Sequence, residues 1–384
     1  MAVKTPDTTC SGITAGLLTR KRAVYVASEE TAGTPINDAA KLNVVLARDI
    51  TVTPLEAETV ERTTIRDFFG NYPELLSTRR ASVTIECEFN GGGLQDNVSG
   101  DGDTLKPADP FAPQWEPLLK ACGFAAPEVT ASTAGVTGTP GTHGTILYKP
   151  VSDLSKMCTV TILCRVDGIV HNMRGCLGTF SIAMTQGEIP TITFTMTGHY
   201  NAPYDWEDTL VSPGNRAVTL SPPPMLFNTR SAYYDTSEDS LFGKIAVGNA
   251  EAQLFTTKII GFSLDVANEV IYREFIDSLA ADPKTGQNIF ITDRKAAGTM
   301  TVEATKATES YPWAEFGTGI GRSLKIGVNG NVQAPIPGSG IEINSPSVTT
   351  GAPSYGDDQG IVTLEVPLRF QPIMGNDDFT ITAG

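Results

Sequence analysis

The sequence predicts a mainly β chain divided into two similar parts, and three observations carry that prediction. Runs of alternating apolar and polar residues, such as ASVTIECEF (81–89) and PTITFTMTGHY (190–200), recur along the 384 residues, and a period of two marks strands buried on one face. The 37 glycines and 25 prolines provide many turns without the period of collagen. Finally, DDQGIVTLEVPLRF (357–370) repeats the turn-then-strand wording of TQGEIPTITFTMTGHY (185–200). Single hydrophobic cores stop growing before about 250 to 300 residues, so a chain of this length is expected to hold two.

The elements follow in order. Residues 1–20 are small and polar and read as an N-terminal arm. A first domain is expected over 21–205. It opens with the strand AVYVA (23–27), followed by a loop and the alternating run NVVLARDITV (43–52). The charged stretch 53–80 leads into ASVTIECEF, where Val83, Ile85, Cys87 and Phe89 take one face and Thr84, Glu86 and Glu88 the other. Two Gly-rich stretches, 90–110 and 131–144, read as insertions. Asp101–Gly102–Asp103 lacks the further spaced oxygens of a calcium loop. Between them, Trp115, Leu118, Leu119 and Cys122 fall at i, i+3, i+4 and i+7, which predicts a short helix ended by Gly123.

The block 146–200 reads as a β-meander of ILYKPV, CTVTILCRV, IVHNMRG, LGTFSIAMT and PTITFTMTGHY. Asp167–Gly168 forms its hairpin turn, because both central positions of a type I′ turn need positive φ. Residues 206–253, with SPPPM and the acidic DTSEDS, read as a linker, and a second domain is expected over 254–384.

Charge and cysteines narrow the function. The formal net charge is −15, both halves are acidic and no basic run appears, so phosphate gripping is disfavoured. The six cysteines form no C-x-x-C pair and are expected to be free, buried thiols. There is no apolar run approaching 18 residues and no signal-peptide core in MAVKTPDTTC, so a soluble, cytoplasmically made protein with no membrane anchor is expected.

The two halves align in order. ITVTPLEAETVER (50–62) matches FSLDVANEVIYR (262–273), setting Glu58 against Glu269 and Arg62 against Arg273. RRASVTIEC matches RKAAGTMTVEA (294–304), and QWEPLLKACG is echoed by SYPWAEFG (310–317), with Trp313 and Phe316 on its apolar face. Asp167–Gly168 is answered by Asn329–Gly330, and Thr193, Phe194 and Met196 fall on Thr363, Leu364 and Val366.

From about Ala23 to the C-terminus the chain resembles the major tail tube proteins of long-tailed, siphovirus-type bacteriophages. The resemblance rests on SEETAGTPI, ITVTPLEAETVER, WEPLLKACGF, VDGIVHNMRGCLGTFSI, QGEIPTITFTMTGHYNAPYD, VIYREF, FITDRKAAGTMTVEA and APSYGDDQGI, in that order. It implies two tandem β-sandwich or barrel-like domains, each with a short flanking α-helix. It also implies rings that stack into a hollow tube through which DNA passes during ejection.

With two tube domains per chain, a homotrimer would supply the six domains of a ring, the homohexamer being the alternative. The implied partners are other copies of the chain, the tape measure protein, and the tail terminator and distal tail proteins. The implied location is the virion tail, assembled in the host cytoplasm, and no cofactor is implied. A long hairpin reaching the adjacent ring would be 53–80, with its counterpart at 266–294. Glu58, Arg62, Glu269 and Arg273 are then candidate inter-ring contacts, weighed against ordinary solvated charges.

The competing class is chemical. His143, His171 and His199 lie in neither a G-x-S-x-G nor an H-E-x-x-H context, and GTGIGRS (317–323) misses the phosphate-loop spacing. Paired carboxylates distant in sequence leave a carbohydrate-binding or glycoside-hydrolysing β-sandwich as the alternative. That reading expects a monomer with one deep, aromatic-lined cleft.

Overall fold

A computed structural model describes residues 21–36, 41–62, 64–93, 111–131, 144–205, 226–227, 232–234, 258–273, 289–304, 319–328 and 339–384. Its first half contains β1 (Arg22–Ser28), β2 (Asn43–Val45), β3 (Ala47–Glu61), β4 (Glu74–Glu88), α1 (Glu116–Ala121), β5 (Glu128–Thr130), β6 (Thr145–Tyr148), β7 (Val160–Val166), β8 (Ile169–Thr185), β9 (Thr191–His199) and β10 (Tyr204–Asp205). The remainder contains β11 (Ala232–Tyr234), β12 (Ile259–Asp265), β13 (Asn268–Tyr272), β14 (Ile289–Arg294), β15 (Ala297–Glu303), β16 (Arg322–Val328), β17 (Ile341–Thr350), β18 (Ser354–Asp358), β19 (Ile361–Phe370) and β20 (Thr380–Ala383). The architecture is mainly β and its strand pairings are antiparallel. The expected second helix at 310–317, the turn Asn329–Gly330, the N-terminal arm and most of the insertions and linker lie outside the described residues.

β8 organises the first half. Two strands were expected from IVHNMRG and LGTFSIAMT, but they form one strand of 17 residues. Its register on β9 shifts between Arg174 and Leu177, where Gly175 takes φ +61 and a Cβ would stand 3.0 Å from the His199 ring. This bulge bends β8, so that 169–173 and Cys176 pair with β7, while Arg174 and 177–183 pair with β9. Glu29 fixes it from beneath. Its buried carboxylate accepts from Gly175 N at 2.8 Å, Gly33 N at 2.7 Å, Thr159 Oγ1 at 2.6 Å and Thr161 Oγ1 at 2.7 Å.

Two layers result. One carries β2–β1–β7 and the first part of β8. The other is a continuous ribbon in the order β3–β4–β9–β8–β12–β15–β19–β18, eight strands drawn from both halves. Opposite its second half, β16 pairs with β17, β17 with β20, and β20 with β6. The meander expected over 146–200 is therefore only partly formed: β7, β8 and β9 follow it, whereas β6 pairs with β5 and with β20 of the second half.

The ribbon's inner face builds the core. Val83, Ile85 and Cys87 are buried while Ser82, Thr84, Glu86 and Glu88 are half-exposed, as alternation requires. Helix α1 closes this core with Trp115, Leu118, Leu119 and Cys122, all buried, and ends at Gly123 with φ +83. Two separate cores were expected, one per half, but one large cluster of buried apolar side chains reaches from Val24 to Ala383 and takes in both halves, with a small second cluster of Tyr25, Leu163 and Val170 within the first half. Phe180 shows why: its ring lies 5.7 Å from Phe124, 5.7 Å from Phe194 and 6.5 Å from Phe379, so aromatics of both halves share one site. Cys87, Cys122, Cys164 and Cys176 are free and buried as expected, Cys158 is free but only half-buried, and burial pushes the Cys87 and Cys164 thiols up to about 12.

Candidate functional site

Among the described residues the ribbon leaves two kinds of surface uncommitted: its outer face and its two end strands. The outer face is a field of hydroxyls. Thr51, Thr84, Thr195 and Thr179 stand side by side across β3, β4, β9 and β8. Thr191, Ala183, Ser263 and Thr299 form a second row across β9, β8, β12 and β15. Glu86, Glu88, Asp265, Glu303 and Glu365 are interspersed on this face. Arg48 approaches Glu86 at 3.9 Å and Lys258 pairs with Glu303 at 2.8 Å at its margins. Hydroxyls keep such a wall hydrated, and carboxylates repel phosphate. Sequence reading resolved the alternation of these strands but missed the face they share; its signal was threonine at every second position of TITFTMT.

The end strands are β3 and β18. β3 pairs with β4 and β18 with β19, and the described residues place no strand against their outer sides. Inside the chain, the junction between the halves shows what such edges can do. β8 and β12 pair antiparallel, with Ser181, Ile182, Ala183, Met184 and Thr185 opposite Asp265, Leu264, Ser263, Phe262 and Gly261. Flanking bonds run from Val266 N to Phe180 O at 3.1 Å and from Gln186 N to Ile260 O at 2.8 Å.

When the halves are laid together by the sequence matches of Thr193 with Thr363 and Met196 with Val366, residues buried at this inner seam fall on exposed ones at the outer edges. Val83 pairs with Met196 in the first half, and Met300 with Val366 in the second; this sets β4 against β15 and, one strand further out, Val52 against Phe262. On the other side, Thr193 pairs with Ser181 and Thr363 with Gly356, which sets Phe180 against Tyr355. Phe180 is 1% exposed and Tyr355 70%; Ile192 is 0% exposed and Val362 50%.

Two hairpin arms continue the edges. β3 and β4 pair as far as Glu61 and Glu74, forming the first arm; β13 and β14 form the second. These are the hairpins expected at 53–80 and 266–294. At the first arm's root, Glu56 takes a hydrogen bond from Ser82 Oγ and one of 2.8 Å from Arg80 Nε. The Ser82 bond above all, opposed by slight burial and helped by Arg80, holds its carboxyl below the usual range. Near the tip, Arg66 lies over the Tyr72 ring at 4.4 Å, while Ile65, Phe68 and Phe69 are exposed. The second arm is anchored instead: Asn268 Nδ2 donates to Cys122 O at 2.8 Å and Gly178 O at 3.0 Å, and Val270, Tyr272 and Ile291 pack on the core.

The four predicted contact residues fall on these arms. Glu58 sits at a register shift in β3 and Arg62 just beyond it, both exposed. Glu269 lies opposite Asp293 in the second arm, and Arg273 follows β13. The two pairs thus lie on separate arms rather than at one site.

The gap between β3 and the opposing sheet forms a cleft of about 290 Å³ lined by Arg22, Ile50, Val52, Pro54, Cys164 and His171, among others. Arg22 Nη1 donates to Ile50 O at 3.0 Å. His171 Nδ1 is buried with no hydrogen-bond partner, and burial lowers the imidazole pKa. A second cleft, about 440 Å³, lies against Arg48, Glu86 and Glu188. Neither has the aromatic lining expected of the carbohydrate-binding alternative. Among the described residues no cluster of His, Cys, Asp or Glu is arranged to hold a metal, and no helix is long and apolar enough to cross a membrane.

Comparison with known proteins agrees with this geometry. No curated protein gives a significant match. The profile of the family described as phage tail tube protein matches residues 19–372, a span that includes the ribbon, both edges and both arms. The chain belongs to the phage tail tube protein family, a structural family whose members assemble into the tube of the virion tail.

Proposed function

We propose that this chain is the major tube subunit of a long-tailed phage and that three copies close into a pseudo-sixfold ring. The observation that carries this reading is the correspondence between the inner seam and the outer edges. β8 and β12 join the halves within one chain, and β18 and β3 present the equivalent edges at its ends. Pairing β18 of one copy with β3 of the next repeats the seam. Three eight-stranded ribbons then close a cylinder of twenty-four strands, which removes both open ends of the ribbon. Tyr355 and Val362 become covered as Phe180 and Ile192 already are. The outer part of the first arm, where Val60 and Leu75 are exposed, gains the kind of support that the second arm receives from α1 and β8.

Residues 21–205 and 254–384 are in this reading two copies of one tube module joined by 206–253. The hydroxyl and carboxylate face lines the lumen and offers DNA few cationic contacts during ejection. The arm tips reach the adjacent ring, with Glu58, Arg62, Glu269 and Arg273 at the inter-ring contact. The tape measure protein, the terminator and the distal tail proteins are the other partners, and assembly occurs in the host cytoplasm. Purified protein examined by negative-stain microscopy and native mass spectrometry tests this. Hollow tubes built of three-chain discs support it; a stable monomer at every concentration, or discs of six chains, refutes the stoichiometry.

A further inference from the structure

We propose that the outer seam carries a charged lock that the inner seam lacks: Asp357 of one copy enters the cleft beside β3 of the next and binds Arg22 and His171. The inference rests on the ring reading above and adds a specific pairing to it.

The register of the inner seam locates the contact. Ser263 lies opposite Ala183, and the strand equivalences place Thr53 opposite Asp358 of the neighbouring copy. Asp357 then falls opposite the Pro54–Leu55 irregularity of β3. Within its own chain Asp357 is opposite Val362, and Tyr355 is opposite the buried Leu364. Side chains directly opposite share a face, so Asp357 projects toward the core side, where the cleft opens. Its Oδ1 accepts from Gly360 N at 3.1 Å, which draws the carboxylate toward the hairpin tip. The tip is the part that meets β3 near Ile50, whose carbonyl holds the Arg22 guanidinium.

The chemistry on the two sides is complementary. At the inner seam the position equivalent to Asp357 is Ile182, fully buried opposite Leu264. A carboxylate placed there would be desolvated without a partner, at heavy cost. The outer cleft differs: Arg22 carries five donors and uses one on Ile50, and His171 offers a buried nitrogen that lacks a partner. Lys21 and Arg165 add positive charge nearby, although both engage Asp167, by an ion pair of 3.1 Å and a bond of 2.8 Å to its carbonyl. A carboxylate entering this mouth gains charge-assisted bonds, and it distinguishes the outer seam from the inner one, so that halves join in the correct order.

Charge reversal and exchange test the pairing. Asp357→Arg is exposed in the free chain and should leave its melting temperature unchanged while raising the critical concentration for assembly about 100-fold. Arg22→Glu should raise the critical concentration likewise, and the double variant Arg22→Glu/Asp357→Arg should recover most of the loss. Wild-type assembly with both single variants unaffected, or two impaired singles without recovery in the pair, overturns the lock and leaves the ring intact. Wild-type protein that never forms rings overturns both.

Discussion

In the proposed ring Phe180 and Tyr355 occupy equivalent places on the two sides of the ribbon, yet their replacement by alanine should act on different processes. Phe180 is buried within the chain among Phe124, Phe194 and Phe379, so Phe180→Ala should lower the folding stability of the free chain by about 3 to 5 kcal/mol. Tyr355 is 70% exposed, so Tyr355→Ala should change that stability by less than about 1 kcal/mol. If a neighbouring copy covers it, 70% of a Tyr surface of about 150 to 250 Å² is removed from water. At about 25 cal/mol per Å² this amounts to about 3 to 4 kcal/mol per junction, or a rise in critical concentration on the order of 100-fold or more. Urea titration of the unassembled protein measures the first quantity. Pelleting of tubes across a dilution series measures the second. Tyr355→Ala protein that assembles at the wild-type concentration would refute the correspondence between inner and outer seams, as would one that loses assembly only because it unfolds.

Three further outcomes are expected. Replacing Glu58, Arg62, Glu269 and Arg273 together by alanine should leave single discs intact but shorten the tubes seen by microscopy; tubes of unchanged length would discard these residues as inter-ring contacts. Thr195→Lys/Thr299→Lys should convert the polar face into one that retains duplex DNA at low salt, with log affinity falling as log salt rises by about 0.9 per phosphate contact; DNA retention by the wild-type face would contradict its assignment as a weakly interacting wall. Asn268→Ala removes the donor from the Cys122 and Gly178 carbonyls and should cost about 2 to 4 kcal/mol in urea unfolding, whereas a neutral effect would show that the second arm is not anchored through it.

What could be read from the sequence was local. The alternation of ASVTIECEF, the i, i+3, i+4, i+7 spacing around α1 and the Asp167–Gly168 turn each depend on neighbours in the chain, and all three elements formed; the turn departs from the expected type I′ geometry, because Asp167 takes φ +54 but Gly168 does not take a positive φ. A period of two states which residues share a face but not which strand lies alongside, so the pairing of β6 with β20 and of β8 with β12 was invisible. The Gly175 bulge was likewise read as a break, because a glycine between two apolar runs looks the same whether the chain turns or bends. The stretch 53–80 looked like a charged excursion because the outer half of each arm strand is exposed on both faces. For the same reason Tyr355 and Asp357 drew no notice as a site: their setting becomes informative only beside Phe180 and Ile182.

Closure of the ribbon through β18 and β3 is tested most directly by Thr53→Cys/Asp358→Cys. The equivalent inner pair, Ser263 and Ala183, lies between hydrogen-bonded rungs, where opposed Cα atoms are about 4.5 Å apart, close enough for a disulfide. Oxidised assemblies run without reductant should give a covalent ring of three chains at three times 40.8 kDa, collapsing to single chains on reduction. Assembled tubes in which this pair never crosslinks, although both cysteines remain reactive, would contradict the account.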